Sequence, residues 1–216
     1  MKTLNKIFLF LVASLMLASC SKEESSADVS RVTDYPTFKK ADGTIVSGAF
    51  YESIEVGTNY TDPGLIATEG EDEITVNSSG SVDGSTVGIY SITYSATNKD
   101  GFDGSVTKYV AVLPAPDNAN IGGKYDNVGS FKYTANIVEV APGFYRTDNC
   151  WGGSSGAVIP ALFICTDGSD IIMPLHSISV YGPISGSGTL DATGLITWEL
   201  TLADFSFTAT KMWQKI

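Results

Sequence analysis

Histidine is nearly absent: the 216 residues hold one, His176. A lone histidine cannot supply a three-histidine zinc site. Basic residues are also scarce, 13 against 24 acidic ones, for a formal net charge of -11. Phosphate backbones and anionic head groups are bound through Lys and Arg, so nucleic acid is excluded as a partner. The apolar run Ile7 to Leu17 falls short of the roughly 20 residues that span a bilayer. No segment carries the i, i+3, i+4, i+7 stripe of an amphipathic helix, and none repeats with a solenoid period. What remains is 22 glycines and short runs of Thr, Val, Ile, Tyr and Phe between Gly, Asp and Asn. That is the composition of an all-β protein.

Residues 1–19 combine Lys2 and Lys6, an apolar stretch and small residues before a cysteine, the layout of a secretory signal peptide. Leu17-Ala18-Ser19-Cys20 resembles the lipobox of bacterial lipoproteins, which implies that Cys20 becomes the acylated first residue of the mature chain. The other reading, an ordinary signal followed by a chance cysteine, leaves a reactive unpaired thiol in an oxidising compartment. Lys22-Glu23-Glu24 resembles the signal that sends lipoproteins of Bacteroidetes to the outer face of the outer membrane. This implies a lipid anchor in the outer membrane and an exterior orientation, with a periplasmic one as the alternative. Residues 20–30, rich in Ser, Lys, Glu and Asp, have little to bury and read as a flexible tether. Removing the signal takes away two lysines and no acid, which moves the formal charge from -11 to -13.

With Cys20 assigned to lipid, Cys150 and Cys165 are left as an even pair outside the cytoplasm. A disulfide between them is expected and would contribute about 3 kcal/mol for a loop of about 15 residues. Two separately buried thiols are the alternative.

Residues 31–113 read as one all-β domain. Gly88 to Thr97 alternates Ile89, Ser91, Thr93, Ser95 against Tyr90, Ile92, Tyr94, Ala96, as a strand with one buried face does. Thr107 to Leu113 answers it across a turn-rich connection, Asn98 to Gly104. That connection lacks the ligand spacing and closing glutamate of a calcium loop. Tyr60-Thr61-Asp62-Pro63-Gly64, Gly80-Ser81-Val82-Asp83, Gly88 to Tyr94 and Lys108 to Val112 together resemble a bacterial immunoglobulin-like domain. The resemblance implies a β-sandwich, used in that family mostly as a spacer. Residues 114–120, with Pro114 and Pro116, cannot continue a strand and are read as a linker.

Residues 121–216 open on Gly122-Gly123-Lys124-Tyr125 and carry short runs predicted as eight strands: 131–140, 143–147, 157–165, 171–175, 178–181, 187–190, 195–200 and 205–212. Such spacing predicts a small antiparallel barrel or sandwich. Pro160, Pro174 and Pro183 predict edges or bulges nearby. The glycine-tyrosine start, Gly186-Ser187-Gly188-Thr189-Leu190 and Leu195-Ile196-Thr197-Trp198 resemble the lipocalin-like C-terminal domains of lipoproteins in Bacteroidetes glycan-uptake loci.

Catalytic signals are thin. Gly152-Gly153-Ser154-Ser155-Gly156 fits G-x-S-x-G, but the apolar, proline-broken segment after it cannot form the helix a nucleophile elbow requires. Glu139, Asp148, Asp167, Asp170 and Glu199 could furnish a glycosidase pair only if the fold brought two within roughly 5–10 Å; otherwise they are turn carboxylates. No metal ligand set, cofactor motif or enzymatic activity is expected. The most suggestive stretch runs from Tyr145 through Arg146, Asp148, Asn149 and Trp151, an aromatic face beside amide, carboxylate and guanidinium groups, with Tyr181 as a second platform. That set suits a sugar ring, unless Trp151 folds back to plug the barrel mouth. The sequence therefore predicts a non-catalytic surface lipoprotein that binds an oligosaccharide or polysaccharide beside outer-membrane transporter proteins. The alternative is a structural subunit that contacts those proteins and binds no sugar.

Overall fold

The computed structural model describes residues 33–129, 133–152 and 157–216. The expected signal peptide, Cys20, the expected tether and Ser154 lie outside the described residues.

The first half is a sandwich of two four-stranded sheets. One has the order β2-β1-β4-β5, from β1 (Thr37–Lys39), β2 (Ile45–Val46), β4 (Ile66–Glu69) and β5 (Asp72–Ile74). The other is β3-β8-β7-β6, from β3 (Ala49–Glu55), β6 (Asn77–Ser79), β7 (Gly88–Thr97) and β8 (Asp103–Leu113). Within it β3 runs parallel to β8. Alternation decides the faces: Ile92, Tyr94 and Ala96 of β7 and Val106 of β8 meet Phe38, Val46 and Ala67 of the other sheet in the core. The β7–β8 turn is closed by Asn98, whose side-chain oxygen accepts from the N–H groups of Asp100 and Phe102. Gly101, at φ +84°, takes the left-handed conformation that favours glycine.

The second half is a closed eight-stranded antiparallel barrel: β9 (Gly123–Asn127), β10 (Thr134–Ala141), β11 (Phe144–Thr147), β12 (Ala161–Ile164), β13 (Asp170–His176), β14 (Ile184–Leu190), β15 (Leu195–Leu202) and β16 (Phe207–Lys215). Each strand pairs with the next, and β16 pairs with β9 to close the ring. Residues 178–181 form no strand, contrary to expectation. Gly182 at φ +77° and Pro183 turn that segment into the β13–β14 loop, and β9 supplies the eighth strand instead.

Side chains fill the barrel. Tyr125, Tyr145, Phe163, Trp198 and Trp213 point inward among aliphatic residues; Tyr145 stacks on Phe163 at 5.6 Å, and Phe163 meets Trp198 edge-on at 5.6 Å. Gly188 sits opposite Trp198, and a side chain there would overlap the tryptophan's Cβ. At one rim the Tyr125 and Tyr145 hydroxyls donate to the carbonyls of Ile121 and Ala119, at 2.7 and 2.8 Å. They bind the segment between β8 and β9 to the barrel end.

The two halves share an apolar interface. Tyr51, Ile89, Tyr109, Ala111 and Leu113 on the outer face of the β3-β8-β7 sheet pack on Phe144, Leu162, Ile164 and Ile172 on the outer wall of the barrel. Tyr51 stacks on Tyr109 at 5.9 Å and meets Phe144 edge-on at 5.8 Å. Asp34–Ile216 accordingly clusters as one compact unit. The chain enters the sandwich at the opposite end, where Asn98 Nδ2 donates to the Asp34 carbonyl at 2.8 Å and Tyr35 packs on Phe102.

The thinnest seam of the barrel lies between β12 and β13, paired at Ile164↔Ile172. Continuing that register sets Leu162 opposite Pro174, where the β13 ladder with β14 also slips. The His176 imidazole bridges this gap: its Nε2 accepts from the Leu162 N–H at 2.8 Å, while Nδ1 lies 2.7 Å from the Pro174 carbonyl. The ring must therefore be neutral, with its proton on Nδ1. Burial, partly opposed by the Pro174 hydrogen bond, holds its pKa below the ordinary value. A lowered folded pKa means that the unfolded chain binds the proton first, so stability falls with pH once it drops below the unfolded value of about 6.5. His176→Ala should cost about 1–3 kcal/mol by leaving buried backbone groups unpaired. It should also flatten the decline in denaturation midpoint between roughly pH 7 and 5 that the parent shows.

Candidate functional site

The residues expected to bind sugar lie on β11 and the connection that follows it. Strand alternation separates them. Tyr145 points into the barrel and is fully buried. Arg146, next along, is exposed on the outer wall and lies close enough to Tyr51 to offset part of the rise that burial causes in that phenol's pKa. Asn149 is buried, and its side-chain oxygen gathers the N–H groups of Trp151, Gly152 and Ile159 at 3.1, 3.1 and 3.4 Å. Asp148 accepts from the Asn136 N–H at 2.8 Å, which fastens the loop to β10. The polar side chains of this stretch thus hold the loop itself.

Trp151 closes the rim. Its residue is 8% exposed, its ring lies under the Lys211 ammonium at 4.3 Å, and Phe207 packs against it at 6.0 Å. The Trp213 indole N–H donates to the Cys150 carbonyl at 3.0 Å directly beneath. Of the two readings of Trp151, the plug is the one the geometry supports. Tyr181, half-buried on the β13–β14 loop, packs on the same core. The six predicted residues therefore do not converge on one open surface.

The expected disulfide is absent: Cys150 and Cys165 are free, buried thiols. The register gives the reason. The Cys150 N–H donates to the Ile159 carbonyl and the Cys165 N–H to the Gly143 carbonyl, which puts the thiols at opposite ends of the β11–β12 ladder. Six residues at about 3.3 Å each separate those ends, far beyond the roughly 7 Å that a bridge allows between Cα atoms. Burial pushes the thiols up to about 12 for Cys150 and about 11 for Cys165, so both are inert at neutral pH.

One polar cluster was not anticipated from the sequence. Lys108 follows the inward alternation of Val106, and it is 3% exposed inside the sandwich. Its Nζ lies 2.8 Å from Asp62 Oδ1, 3.0 Å from the Tyr60 hydroxyl and 3.3 Å from Glu52 Oε2. The Tyr94 hydroxyl donates to the same Asp62 oxygen at 2.6 Å, and the Tyr60 hydroxyl to Glu52 at 3.2 Å. The rings of Phe50 and Tyr60 flank the ammonium at 5.7 Å each. Burial works against ionisation of both Lys108 and Asp62, but their mutual hydrogen bond and the tyrosines outweigh it. The amine is held above its usual range and the carboxyl below. Beside the cluster opens a cleft of about 340 Å³, lined by apolar Phe50, Pro63 and Leu65 and by charged Lys40, Asp42 and Glu52. The legible signal was a lysine on the core-facing side of an otherwise apolar strand.

Among the described residues no group of His, Cys, Asp and Glu could hold a metal ion. Comparison with known proteins agrees with the first half of the fold. Residues 45–112 match the family "Bacterial surface protein, Ig-like domain". The crystal structure of the lipoprotein BT2262 from Bacteroides thetaiotaomicron is similar at 24% sequence identity and a TM-score of 0.38, over 84% of this chain and 100% of that one. No curated protein matches the chain.

Two outcomes are expected. In denaturant without reductant, Cys150 and Cys165 should both take up an alkylating reagent, whereas the folded protein should leave them unlabelled; protection that persists after unfolding would restore the disulfide. Trp151→Ala should destabilise the protein by about 3 kcal/mol, read from the shift in its denaturation midpoint.

Proposed function

We propose that this chain is a non-catalytic accessory protein of the bacterial outer surface, anchored in the outer membrane through an acylated Cys20. In this reading the immunoglobulin-like sandwich is the stalk, and the barrel is the module held out to neighbouring outer-membrane proteins. The placement of the barrel supports it, because the chain enters the sandwich beside the β7–β8 turn while the barrel packs at the other end of β7 and β8.

The observation that carries contact with protein rather than sugar is the closed rim. Trp151 is turned inward, while Val180 is 97%, Phe205 62% and Phe207 54% exposed on the segments around it. Those segments are fastened together, the Ala203 N–H donating to the Pro183 carbonyl at 2.9 Å. Exposed apolar side chains grouped at one end of a filled barrel suit a protein surface better than a hydrated ligand.

A glycan is the second reading, now favoured by the cleft beside Phe50. Its apolar lining residues offer a packing surface, and Lys40, Asp42 and Glu52 offer hydrogen-bond donors and acceptors of both charge signs, which matches a neutral polyhydroxy ring.

One experiment separates the two. A photo-crosslinking residue placed at Phe205 in the full-length protein in its own membrane should capture a defined outer-membrane partner, and Phe207→Asp should abolish that capture. A glycan array run in parallel should be blank. Selective glycan binding lost in Lys40→Ala and Asp42→Asn, with no crosslinked partner, would establish the second reading instead.

A further inference from the structure

The Lys108 cluster has the composition of a reaction centre as well as of an ion pair. A primary amine lies 2.8 Å from one carboxylate oxygen, a second carboxylate stands 3.3 Å from the same nitrogen, and a phenol donates at 2.6 Å to the oxygen the amine faces. Aromatic rings wall the amine, and water reaches little of it. Two reactants held in contact by a folded core behave as though at concentrations of order 10⁵–10⁸ M, and exclusion of water favours condensation over hydrolysis.

We propose that Lys108 and Asp62 condense to an intramolecular amide that staples the β3–β4 connection to β8. The ammonium passes one proton to Glu52, which relays it to the Asp62 carboxylate, and the neutral Nζ attacks Cγ of the neutral carboxyl. The C–N bond forms, one C–O bond breaks, and the leaving oxygen departs as water with the two protons released from nitrogen, one of them relayed by Glu52. Tyr94 O–H stabilises the charge that develops on Oδ1 in the tetrahedral intermediate. Atoms and charge balance without oxidant or cofactor: one ammonium and one carboxylate become one amide and one water. The cleft, lined by Glu52, Pro63 and Lys108 itself, is the exit for that water. The charged pair is the resting state, so the neutral amine is scarce and the step is slow. A bond made once in the life of each molecule does not need to be made quickly.

Asp62 is the acceptor rather than Glu52 for two reasons. It carries the Tyr94 hydrogen bond, and its side chain is the less exposed, 25% against 40%. Glu52 touches the nitrogen and remains free to relay protons.

The test is peptide mapping of the full-length protein after complete unfolding. Trypsin should fail to cut after Lys108, and one branched peptide should join the fragments that contain Asp62 and Lys108, lighter than their sum by one water. Lys108→Arg should give only linear peptides. Glu52→Gln, which preserves shape, should fold with the same circular dichroism spectrum and give mostly unlinked chain. Asp62→Asn should form the same branch by releasing ammonia instead of water. Cleavage after Lys108 in the parent, with every fragment at its linear mass, would overturn the proposal and leave an ion pair only.

Discussion

The structure depends on one strand with both faces buried. Along β8, Val106 and Lys108 face the sandwich core, and Tyr109, Ala111 and Leu113 face the barrel wall. Sheets of a sandwich ordinarily give one face to water. Here the second face is taken by Phe144, Leu162 and Ile164 of the barrel, so the sandwich and the barrel share the burial that each would otherwise lack. The residues on either side of the barrel wall divide strictly: Tyr145 and Phe163 look in, while Phe144, Leu162 and Ile164 look out at the sandwich.

Closure of the barrel has a similar logic. A ring of eight strands leaves no unpaired edge, but Pro174 interrupts one ladder, and the His176 imidazole occupies the place where a backbone bond would have run. At the rims, side chains take over from strands. Two tyrosine hydroxyls hold the incoming chain at one end, and Trp151, Trp213 and Lys211 cover the other. The interior of the barrel is thereby given over to packing.

Much of this was legible from alternation. The span of β7 and the shared face of Tyr90, Ile92, Tyr94 and Ala96 follow from period two alone; the last three enter the core, and Tyr90 is drawn to the Thr86 carbonyl instead. The barrel's strand count was legible, but its membership was not. Gly123–Asn127 contributes one inward ring, Tyr125, between Lys124 and Asp126, too little pattern to read, whereas Ile178 to Tyr181 is apolar enough to imitate a strand. The cysteine pair misled because proximity in sequence says nothing about which end of a hairpin each residue occupies. The burial of Trp151 rests on Phe207 and Lys211, far along the chain, and no local pattern encodes such a contact. Lys108 is the reverse case, because its place between Val106 and Val110 in the alternation of β8 is enough to encode its burial.

The parallel pairing of β3 with β8, seven residues deep from Ala49↔Thr107 to Glu55↔Leu113, bears on how the molecule carries tension. The chain enters the sandwich beside the β7–β8 turn, and β8 leaves it from the opposite end straight into the barrel. A pull on the barrel therefore drags β8 lengthwise past both β3 and β7. Every hydrogen bond in those two ladders is then strained in shear at the same moment, and none can be unzipped ahead of the rest.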